Sequence, residues 1–441
     1  MKLLKNYFFL LFLIGCSFDN KSGIWNSGNL NKTEKNKVFS DFKTLSSKND
    51  RFENIVPFDG SSILSFSDEV NNRDWNDIYY GKNNNFENFN YRNLNDLIFR
   101  SKKITKEETN NYILLKNNII IINTKKGDLI FYSLNENKIL NKFNFYKKRY
   151  KKIEKKLNII IQNDIIYVSD NLGYLYSLKY NSNKIIWAKN YKIPFRSNLK
   201  IIGNKLVAAN QNNILYFFDK KNGETLKMLP TEETIVKNKF QNNISIDNDH
   251  TFFLNTYGSL YSIDNKSMRI KWFINLNQSN DLNPSNLFQS NQIISYKRKL
   301  IVSTNNYTYV LNEDNGSILH KKNFSSHIKP LVNNNNVFLI TKNNLLLSFN
   351  LLSGKILYSY DINKLISEFL NINKKKADFK TMMIAKNQIN IFLKNSFVLK
   401  LDINGKIIKV LKLPTKIKSY PIFSNNNLIY IDKKNKLSVV N

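Results

Sequence analysis

The 441-residue sequence predicts an all-β fold, an eight-bladed β-propeller of four-stranded repeats whose ring is closed by a strand that precedes the first repeat. Three observations support this prediction. One pattern recurs about every 44 residues, short apolar runs alternate with turns rich in Asn and Gly, and the last copy ends after its third strand. Repeats of about this length with four short strands each are typical of propeller blades.

The repeat is clearest in two segments, Gly173–Leu178 (GYLYSL) and Gly258–Ile263 (GSLYSI). The last residue of each segment serves as an anchor for aligning the other copies. Apolar runs of about four to eight residues lie before and after the anchors, and their richness in Ile, Leu, Tyr and Phe predicts strands rather than helices. The eight anchors are Leu134, Leu178, Phe218, Ile263, Leu311, Phe349, Leu401 and Val439.

Turns and aromatic residues recur at fixed places in this pattern. Asn-Gly pairs lie between the third and fourth strands, where a tight hairpin needs positive φ. These pairs are Asn222-Gly223, Asn315-Gly316 and Asn404-Gly405. Nine residues after an anchor lie Trp187, Trp272, His320 and Tyr358. We predict that these rings dock one blade onto the next; the alternative is that they stack on a cofactor.

The last copy lacks its outer strand, because the chain ends at Asn441 directly after the third strand. An unpaired edge of this kind is a liability for a sheet protein. The segment Asn95–Lys103 (NDLIFRSKK) precedes the first complete blade and has the texture of a fourth strand, with Phe99 near the aromatic position. We predict that Asn95–Lys103 closes the ring by pairing with Lys436–Val440.

The N-terminus predicts export and a lipid anchor. Met1–Ile14 has a basic start and an apolar run too short to span a membrane, which is typical of a signal peptide. Leu13–Cys16 (LIGC) resembles the lipobox of bacterial lipoproteins, with Ile14 where a smaller residue is usual. This resemblance implies cleavage before Cys16 and acylation of its thiol, and Ser17 favours the outer membrane. We therefore expect a signal peptide at 1–15, a lipidated flexible tether at 16–92 and the propeller at 93–441.

Composition and charge exclude some classes of function. The only Cys is Cys16, so the chain forms no internal disulfide, and three scattered His predict no metal site. The net charge of +33 suggests a polyanion as a partner, and Lys142–Lys156 is the densest basic patch, with interleaved aromatic residues. A/T-rich codon usage and solvated Lys side chains are the simpler explanation. Export removes the protein from cytosolic nucleic acid, so we expect no nucleic-acid partner.

The repeat G-x-L-Y-S-L followed by G-K-x-x-W resembles the PQQ-like propeller repeat. Two families use that repeat, the quinoprotein dehydrogenases and the outer-membrane assembly lipoproteins of the BamB family. Quinoprotein alcohol dehydrogenases stack the quinone between a Trp and a disulfide of adjacent Cys, and bind calcium through acidic groups. Cys16 cannot supply that disulfide. We therefore expect no enzyme activity and no cofactor, with a quinone-dependent periplasmic dehydrogenase or a generic polyanion- or envelope-binding propeller as alternatives.

The resemblance to the BamB family includes the lipobox, the repeat count and one short loop. Ile193–Ser197 (IPFRS) is similar to the inter-blade stretch of those proteins whose Arg helps to bind the POTRA domains of BamA. By that match Arg196 would be the contact cation and Phe195 its apolar neighbour. The second contact loop of that family carries acidic residues, which Thr234–Asn238 (TIVKN) lacks. The resemblance implies a scaffold on the periplasmic face of the outer membrane that works with BamA, other assembly subunits and unfolded β-barrel proteins.

Overall fold

The computed structural model describes residues 51–60, 64–146, 150, 152–232, 241–277 and 288–441, and the backbone of two short strands nearer the N-terminus. The chain divides into two units, Met1–Asp50 and Arg51–Asn441. In the first unit, β1 (Cys16–Phe18) pairs antiparallel with β2 (Trp25–Ser27), with Cys16 opposite Ser27. The second unit contains all other described elements.

The second unit is an eight-bladed β-propeller of four-stranded antiparallel sheets, which confirms the predicted fold class. The strands of the first four blades follow one another along the chain. They are β5 (Thr109–Lys116), β6 (Ile119–Thr124), β7 (Asp128–Ser133) and β8 (Lys138–Asn144) in blade 1; β9 (Leu157–Gln162), β10 (Ile165–Asp170), β11 (Tyr174–Lys179) and β12 (Lys184–Asn190) in blade 2; β13 (Lys200–Ile202), β14 (Lys205–Ala209), β15 (Leu215–Asp219) and β16 (Thr225–Leu229) in blade 3; and β17 (Asn243–Ile246), β18 (His250–Leu254), β19 (Ser259–Asp264) and β20 (Ile270–Asn275) in blade 4.

The last four blades include two strands from the N-terminal side of the ring, β3 (Asn88–Phe89) and β4 (Leu97–Arg100). β3 adds a parallel strand to blade 7, and β4 completes blade 8. The strands are β21 (Ile294–Tyr296), β22 (Lys299–Ser303), β23 (Thr308–Asn312) and β24 (Ile318–Lys322) in blade 5; β25 (Leu331–Asn333), β26 (Asn336–Ile340), β27 (Leu345–Asn350) and β28 (Ile356–Asp361) in blade 6; β29 (Phe379–Ala385), β30 (Gln388–Leu393), β31 (Phe397–Leu401) and β32 (Ile407–Lys412) in blade 7; and β33 (Ile422–Ser424), β34 (Asn427–Ile431) and β35 (Leu437–Val440) in blade 8.

Burial follows the position of a strand within its blade. The second strands, such as β10 and β18, are buried almost throughout, because both faces of each sheet pack on neighbouring blades. The outer strands β8, β12 and β16 are mostly exposed. This gradient explains why the inner three strands read as apolar runs, whereas the outer strands also carry Lys.

The predicted closure of the ring is confirmed. β4 pairs antiparallel with β35, with Phe99 opposite Val439 and Arg100 opposite Ser438. The pairing shifts register between Val439 and Val440. Blades 2 to 7 show the same shift at their anchor residues, so Val440 occupies the anchor position of blade 8, one residue beyond the predicted Val439. In blade 1 the shift lies between Phe131 and Tyr132, which makes Tyr132 the anchor instead of Leu134.

The recurring aromatic residues dock blades, as predicted from their spacing. Trp187 of blade 2 donates its indole N–H to the carbonyl oxygen of Lys220 in blade 3, at 3.0 Å. Trp272 makes the same bond to Glu313 in blade 5, at 2.9 Å. A Cβ on Gly316, which has a φ of +73°, would lie 2.6 Å from the Trp272 ring, so only Gly allows this close approach.

One helix interrupts the β-structure between blades 6 and 7. α1 (Ile362–Leu370) begins after Asp361, whose carboxylate accepts hydrogen bonds from the backbone N–H groups of Asn363 and Lys364. It ends at Asn371, which has left-handed backbone geometry. The sequence signal for this insertion is the longest spacing between anchors, from Phe349 to Leu401.

Candidate functional site: the inter-blade face and the axial cavity

Connections between successive blades lie at one end of the ring. Each blade has four antiparallel strands, so the chain leaves a blade at the end where it entered. We call this end the inter-blade face; the hairpins between the first and second strands lie at the opposite end. The loop Ile193–Ser197, which joins β12 to β13, lies on the inter-blade face.

The inner strands line a central channel, and residues 72–92 cross it. We call this stretch the axial segment. It forms hydrogen bonds with the first strand or first hairpin of every blade. In blade order, these bonds join Trp75 N to Leu115 O (2.7 Å), Ile161 N to Asn76 O (2.9 Å), Lys200 Nζ to Gly81 O (2.8 Å), Ile246 N to Lys82 O (2.9 Å), Ser295 N to Asn83 O (3.1 Å), Asn85 Nδ2 to Val332 O (2.8 Å), Lys386 N to Phe89 O (2.9 Å) and Arg92 N to Asn426 O (3.1 Å).

The axial segment differs from the flexible tether predicted for residues 16–92. The inner strands present unpaired N–H and C=O groups to the channel, and the segment satisfies them with its own polar groups. Asn84 shows this best, because its side-chain amide donates to Ile244 O and to Ile293 O, each at 2.9 Å. Polar residues that suggested a solvated linker are therefore the hydrogen-bonding groups of a packed segment.

Aromatic side chains of the axial segment fill the channel. Trp75 is buried against Phe86 and Phe89, with ring centroids 5.8 and 5.5 Å away. Phe89 stacks on Phe423 of blade 8 at 5.6 Å. A buried ion pair adds a further link to blade 3, where Lys200 Nζ lies 2.6 Å from Asp77 Oδ2. The clustered aromatic residues between Trp75 and Tyr91 were the sequence signal for this packing.

An axial cavity of about 160 Å³ lies between the axial segment and the inter-blade connections. Tyr112 and Tyr420 stack in its wall, with ring centroids 4.8 Å apart, and burial raises the pKa of Tyr112 well above its ordinary value. Two lysines, Lys329 and Lys380, also line the cavity, and exposed His327 lies at its edge. The full lining is Trp75, Ile78, Tyr79, Phe86, Tyr112, Ile113, Asn291, Gln292, His327, Ile328, Lys329, Lys380, Thr381, Met383, Tyr420, Pro421 and Ile422.

Arg196 lies on the inter-blade face, on a loop fixed at both sides. Its N–H donates to Ala209 O at 2.9 Å, and its carbonyl accepts from Asn242 N of the next blade at 3.0 Å. The side chain is partly exposed, and its burial lowers the pKa of the guanidinium from its ordinary value. These bonds therefore fix the backbone of Arg196 at the junction of blades 3 and 4.

Phe195 is 3% exposed and belongs to the core between blades 2 and 3. Its ring lies 5.8 Å from Tyr191 and 6.1 Å from Phe218. The ring packs in the core beneath the loop and is not part of the surface. The predicted role of Phe195 as the apolar neighbour of a contact cation therefore reduces to fixing the loop that carries Arg196.

The basic patch Lys142–Lys156 is only partly described, because residues 147–149 and 151 lie outside the described residues. Lys142 Nζ lies 3.0 Å from Asp128 Oδ2, and Lys155 is buried with its ammonium 5.1 Å from the Tyr146 ring centroid. Phe145 stacks on Tyr176 of blade 2 at 4.1 Å. Phe145 therefore helps to hold blade 1 against blade 2, whereas Lys142 pairs within blade 1.

Other predicted features fall at or beyond the limits of the described residues. The signal peptide at 1–15 and the loop Thr234–Asn238 lie outside them, and only the backbone of Cys16 is described. His250 contacts Asp247 at 3.4 Å, and His320 bonds Leu352 O at 2.8 Å in the blade-docking position. Within the described ranges no group of three His, Cys, Asp or Glu residues could hold a metal, and no helix is long and apolar enough to cross a membrane.

The fold defines the class of the protein, an eight-bladed β-propeller. The structure is similar to that of BamB from Moraxella catarrhalis, at 13% sequence identity and a TM-score of 0.61, over 77% of this chain and 99% of that chain. It is also similar to quinohemoprotein alcohol dehydrogenase from Comamonas testosteroni, at 9% identity and a TM-score of 0.63, over 83% of this chain and 80% of that chain.

A third similar structure is a europium-containing methanol dehydrogenase, at 10% identity and a TM-score of 0.57, over 83% of this chain and 89% of that chain. No protein-family model and no curated protein matches the sequence. At these identities the likeness shows the fold alone, which BamB and the two dehydrogenases share.

The residues around the axial cavity do not fit a calcium–quinone site. The described residues of its lining include no Asp or Glu, whereas calcium in proteins takes oxygen ligands that include carboxylates. The cavity of about 160 Å³ is smaller than the range of about 300–1,000 Å³ usual for organic ligands. Trp187 and Trp272 face the turns of the next blades rather than this cavity.

Proposed function

We propose that the protein is a non-enzymatic scaffold of the outer-membrane β-barrel assembly machinery, which docks to BamA through its inter-blade face. The observation that carries this proposal is Arg196, a partly exposed cation on a loop bonded to both adjoining blades. A loop with a fixed backbone needs little ordering on binding, and the guanidinium can pair with carboxylates through two parallel hydrogen bonds. Likeness to BamB supports the same class of partner.

A lipid anchor at Cys16 would hold the propeller at the periplasmic face of the outer membrane. Cys16 is the only thiol in the chain, and several acyl chains on one residue hold a protein on a membrane where a single chain binds marginally. In this arrangement the partners are the POTRA domains of BamA, other assembly subunits and unfolded β-barrel proteins.

The outer strands offer a surface for unfolded β-strands. In most blades the outer strand has one edge that no described strand pairs with. Exposed apolar residues lie in pairs on these outer strands. The pairs are Ile139 and Leu140, Ile185 and Ile186, Leu226 and Met228, Ile270 and Phe273, and Ile318 and Leu319. Extended barrel segments could add main-chain hydrogen bonds there while their apolar side chains contact these pairs.

Affinity capture from solubilised membranes of the native host tests the docking proposal. We expect the wild-type protein to bring down BamA, and Arg196→Ala to reduce the recovery of BamA about tenfold, as for a hot-spot Arg. Arg269→Ala is the matched control, because Arg269 is exposed at the hairpin end of blade 4. A normally expressed wild-type protein that never recovers BamA would contradict the proposal.

The alternative of a quinone-dependent dehydrogenase finds support only in the shared fold of the two dehydrogenases. The axial segment occupies the channel, and no carboxylate lies among the described residues that line the remaining cavity. The polyanion-binding alternative loses part of its basis as well, because Lys142 is paired and Lys155 is buried.

A further inference from the structure

We propose that the axial cavity binds one small oxyanion, a carboxylate or a phosphate, between Lys329 and Lys380. Both lysines line the same cavity, which opens towards the inter-blade face and has the axial segment as its floor. This site does not depend on docking to BamA.

Lys329 reaches the cavity from the connection between blades 5 and 6. Its ammonium donates to Asn84 O at 2.7 Å and lies 3.3 Å from the centroid of the Phe86 ring. Both partners belong to the axial segment and neither carries a charge. In the described part of the chain no carboxylate lies within ion-pair distance of this ammonium.

Lys380 approaches from β29 in the neighbouring blade 7. Its ammonium donates to Lys418 O at 2.6 Å and lies 4.8 Å from the centroid of the Tyr420 ring. Here too, the described residues provide no carboxylate within ion-pair distance. Its nearby charged groups, Lys394 and Lys433, are also cations.

Both ammonium groups bond only to neutral partners, and the nearby Asp77 carboxylate is already paired with Lys200, so the cavity has a positive potential. Burial lowers the pKa of Lys329 well below its ordinary value and that of Lys380 to about 8, which reflects the free-energy cost of holding these charges away from water. An anion between them would offset that cost. Each ammonium has three N–H donors and uses one for the carbonyl named above, so further donors are available to a ligand.

The size and lining of the cavity limit the ligand. A volume of about 160 Å³ accommodates a small oxyanion with a few waters but not a folded partner. Asn291 and Gln292 add neutral amide groups to the wall, and Asp and Glu are missing from the lining described. An oxyanion would accept hydrogen bonds from the ammonium and amide donors without meeting a negative charge.

Calorimetric titration of the purified full chain tests this site. The probes are sodium phosphate and sodium acetate, each at constant ionic strength with chloride as the replaced anion. We expect saturable binding of at least one probe. The probe that binds more tightly identifies the ligand as phosphate-like or carboxylate-like. Lys380→Met should weaken binding about tenfold or more, because a hydrogen bond to a charged group contributes about 1.5–3 kcal/mol.

The control variant is Lys227→Met, which removes an exposed lysine from the outer strand of blade 3 and should leave the affinity unchanged. Lys380→Arg should restore most of the binding, which a merely structural role of Lys380 does not predict. Lys329→Met provides a second loss-of-binding variant, checked for folding by thermal unfolding. The site is disproved if neither probe binds beyond chloride, or if both Met variants bind as the wild type does.

Discussion

At the residue scale, the contact between an aromatic ring and a turn glycine holds neighbouring blades together. The ring of Trp272 in blade 4 lies against Gly316 of blade 5, and Trp187 lies against Gly223 in the same way. These positions were predictable, because Asn-Gly pairs and aromatic residues recur at fixed spacing from the anchors. Blades 1, 3 and 7 have Asn141, Lys227 and Lys409 in the aromatic position, so their junctions depend on other contacts.

Gly316→Ala should destabilise the propeller. The new Cβ would lie 2.6 Å from the Trp272 ring, and the positive φ adds strain of about 1–2 kcal/mol. Gly203→Ala is the matched control, because Gly203 also has positive φ but has no atom within 4 Å of the added Cβ. We expect Gly316→Ala to reduce the free energy of unfolding by about 1–3 kcal/mol more than Gly203→Ala, measured by urea denaturation. Equal losses would contradict the proposed close approach.

Glu313 should make stability depend on pH. It is 2% exposed, and burial, together with nearby Asp247, raises the pKa of Glu313 to about 8. The folded protein therefore keeps this proton up to about pH 8, whereas the unfolded chain releases it near pH 4.5. Because the folded state binds more protons in that window, the free energy of unfolding contributed by Glu313 falls as pH rises from 4.5 to 8.

Glu313→Gln, which stays neutral, should therefore gain stability relative to the wild type as pH rises, by about 1 kcal/mol or more between pH 4.5 and pH 8. Thermal or urea unfolding at both pH values measures this difference. Glu53→Gln, at an exposed position, serves as the control and should show no such trend. A difference between Glu313→Gln and the wild type that is the same at both pH values would refute this account.

At the element scale, ring closure could be predicted and the axial segment could not. The missing outer strand after Asn441 and the apolar run in Asn95–Lys103 together indicated the closing pair β4–β35. The axial segment has few aliphatic runs; it forms hydrogen bonds with the first strand or first hairpin of each of the eight blades, and its aromatic side chains fill the channel. Periodicity detects the apolar faces of helices and strands, so a segment with clustered aromatic residues and polar hydrogen-bonding groups leaves no periodic signal.

Cross-linking tests the closure directly. In a variant with Cys16 replaced by Ser, the pair Phe99→Cys and Val439→Cys should form a disulfide, because these residues are opposite each other in β4 and β35. The matched control is Phe99→Cys with Ser438→Cys, since successive residues of a strand point to opposite faces. Non-reducing electrophoresis and peptide mapping give the readout. Formation of the bond in the control pair alone would contradict the observed register.

At the scale of the whole molecule, one end of the ring carries the features that point to a function. The loop with Arg196 and the opening of the axial cavity both lie on the inter-blade face, while the axial segment occupies the channel beneath. The eight-bladed fold could be read from the repeats. The position of Arg196 at a bonded junction required the structure, because the short motif IPFRS does not reveal how its neighbours hold it.

The most direct test of the docking proposal is site-specific photo-cross-linking in the native host. A photo-reactive amino acid at position 196, on the inter-blade face, should form an adduct with BamA, whereas the same group at position 227, on the exposed outer strand of blade 3, should not. This difference follows from docking through one end of the ring. A normally expressed protein that gives no BamA adduct at position 196, or equal adducts at both positions, would contradict docking through the inter-blade face.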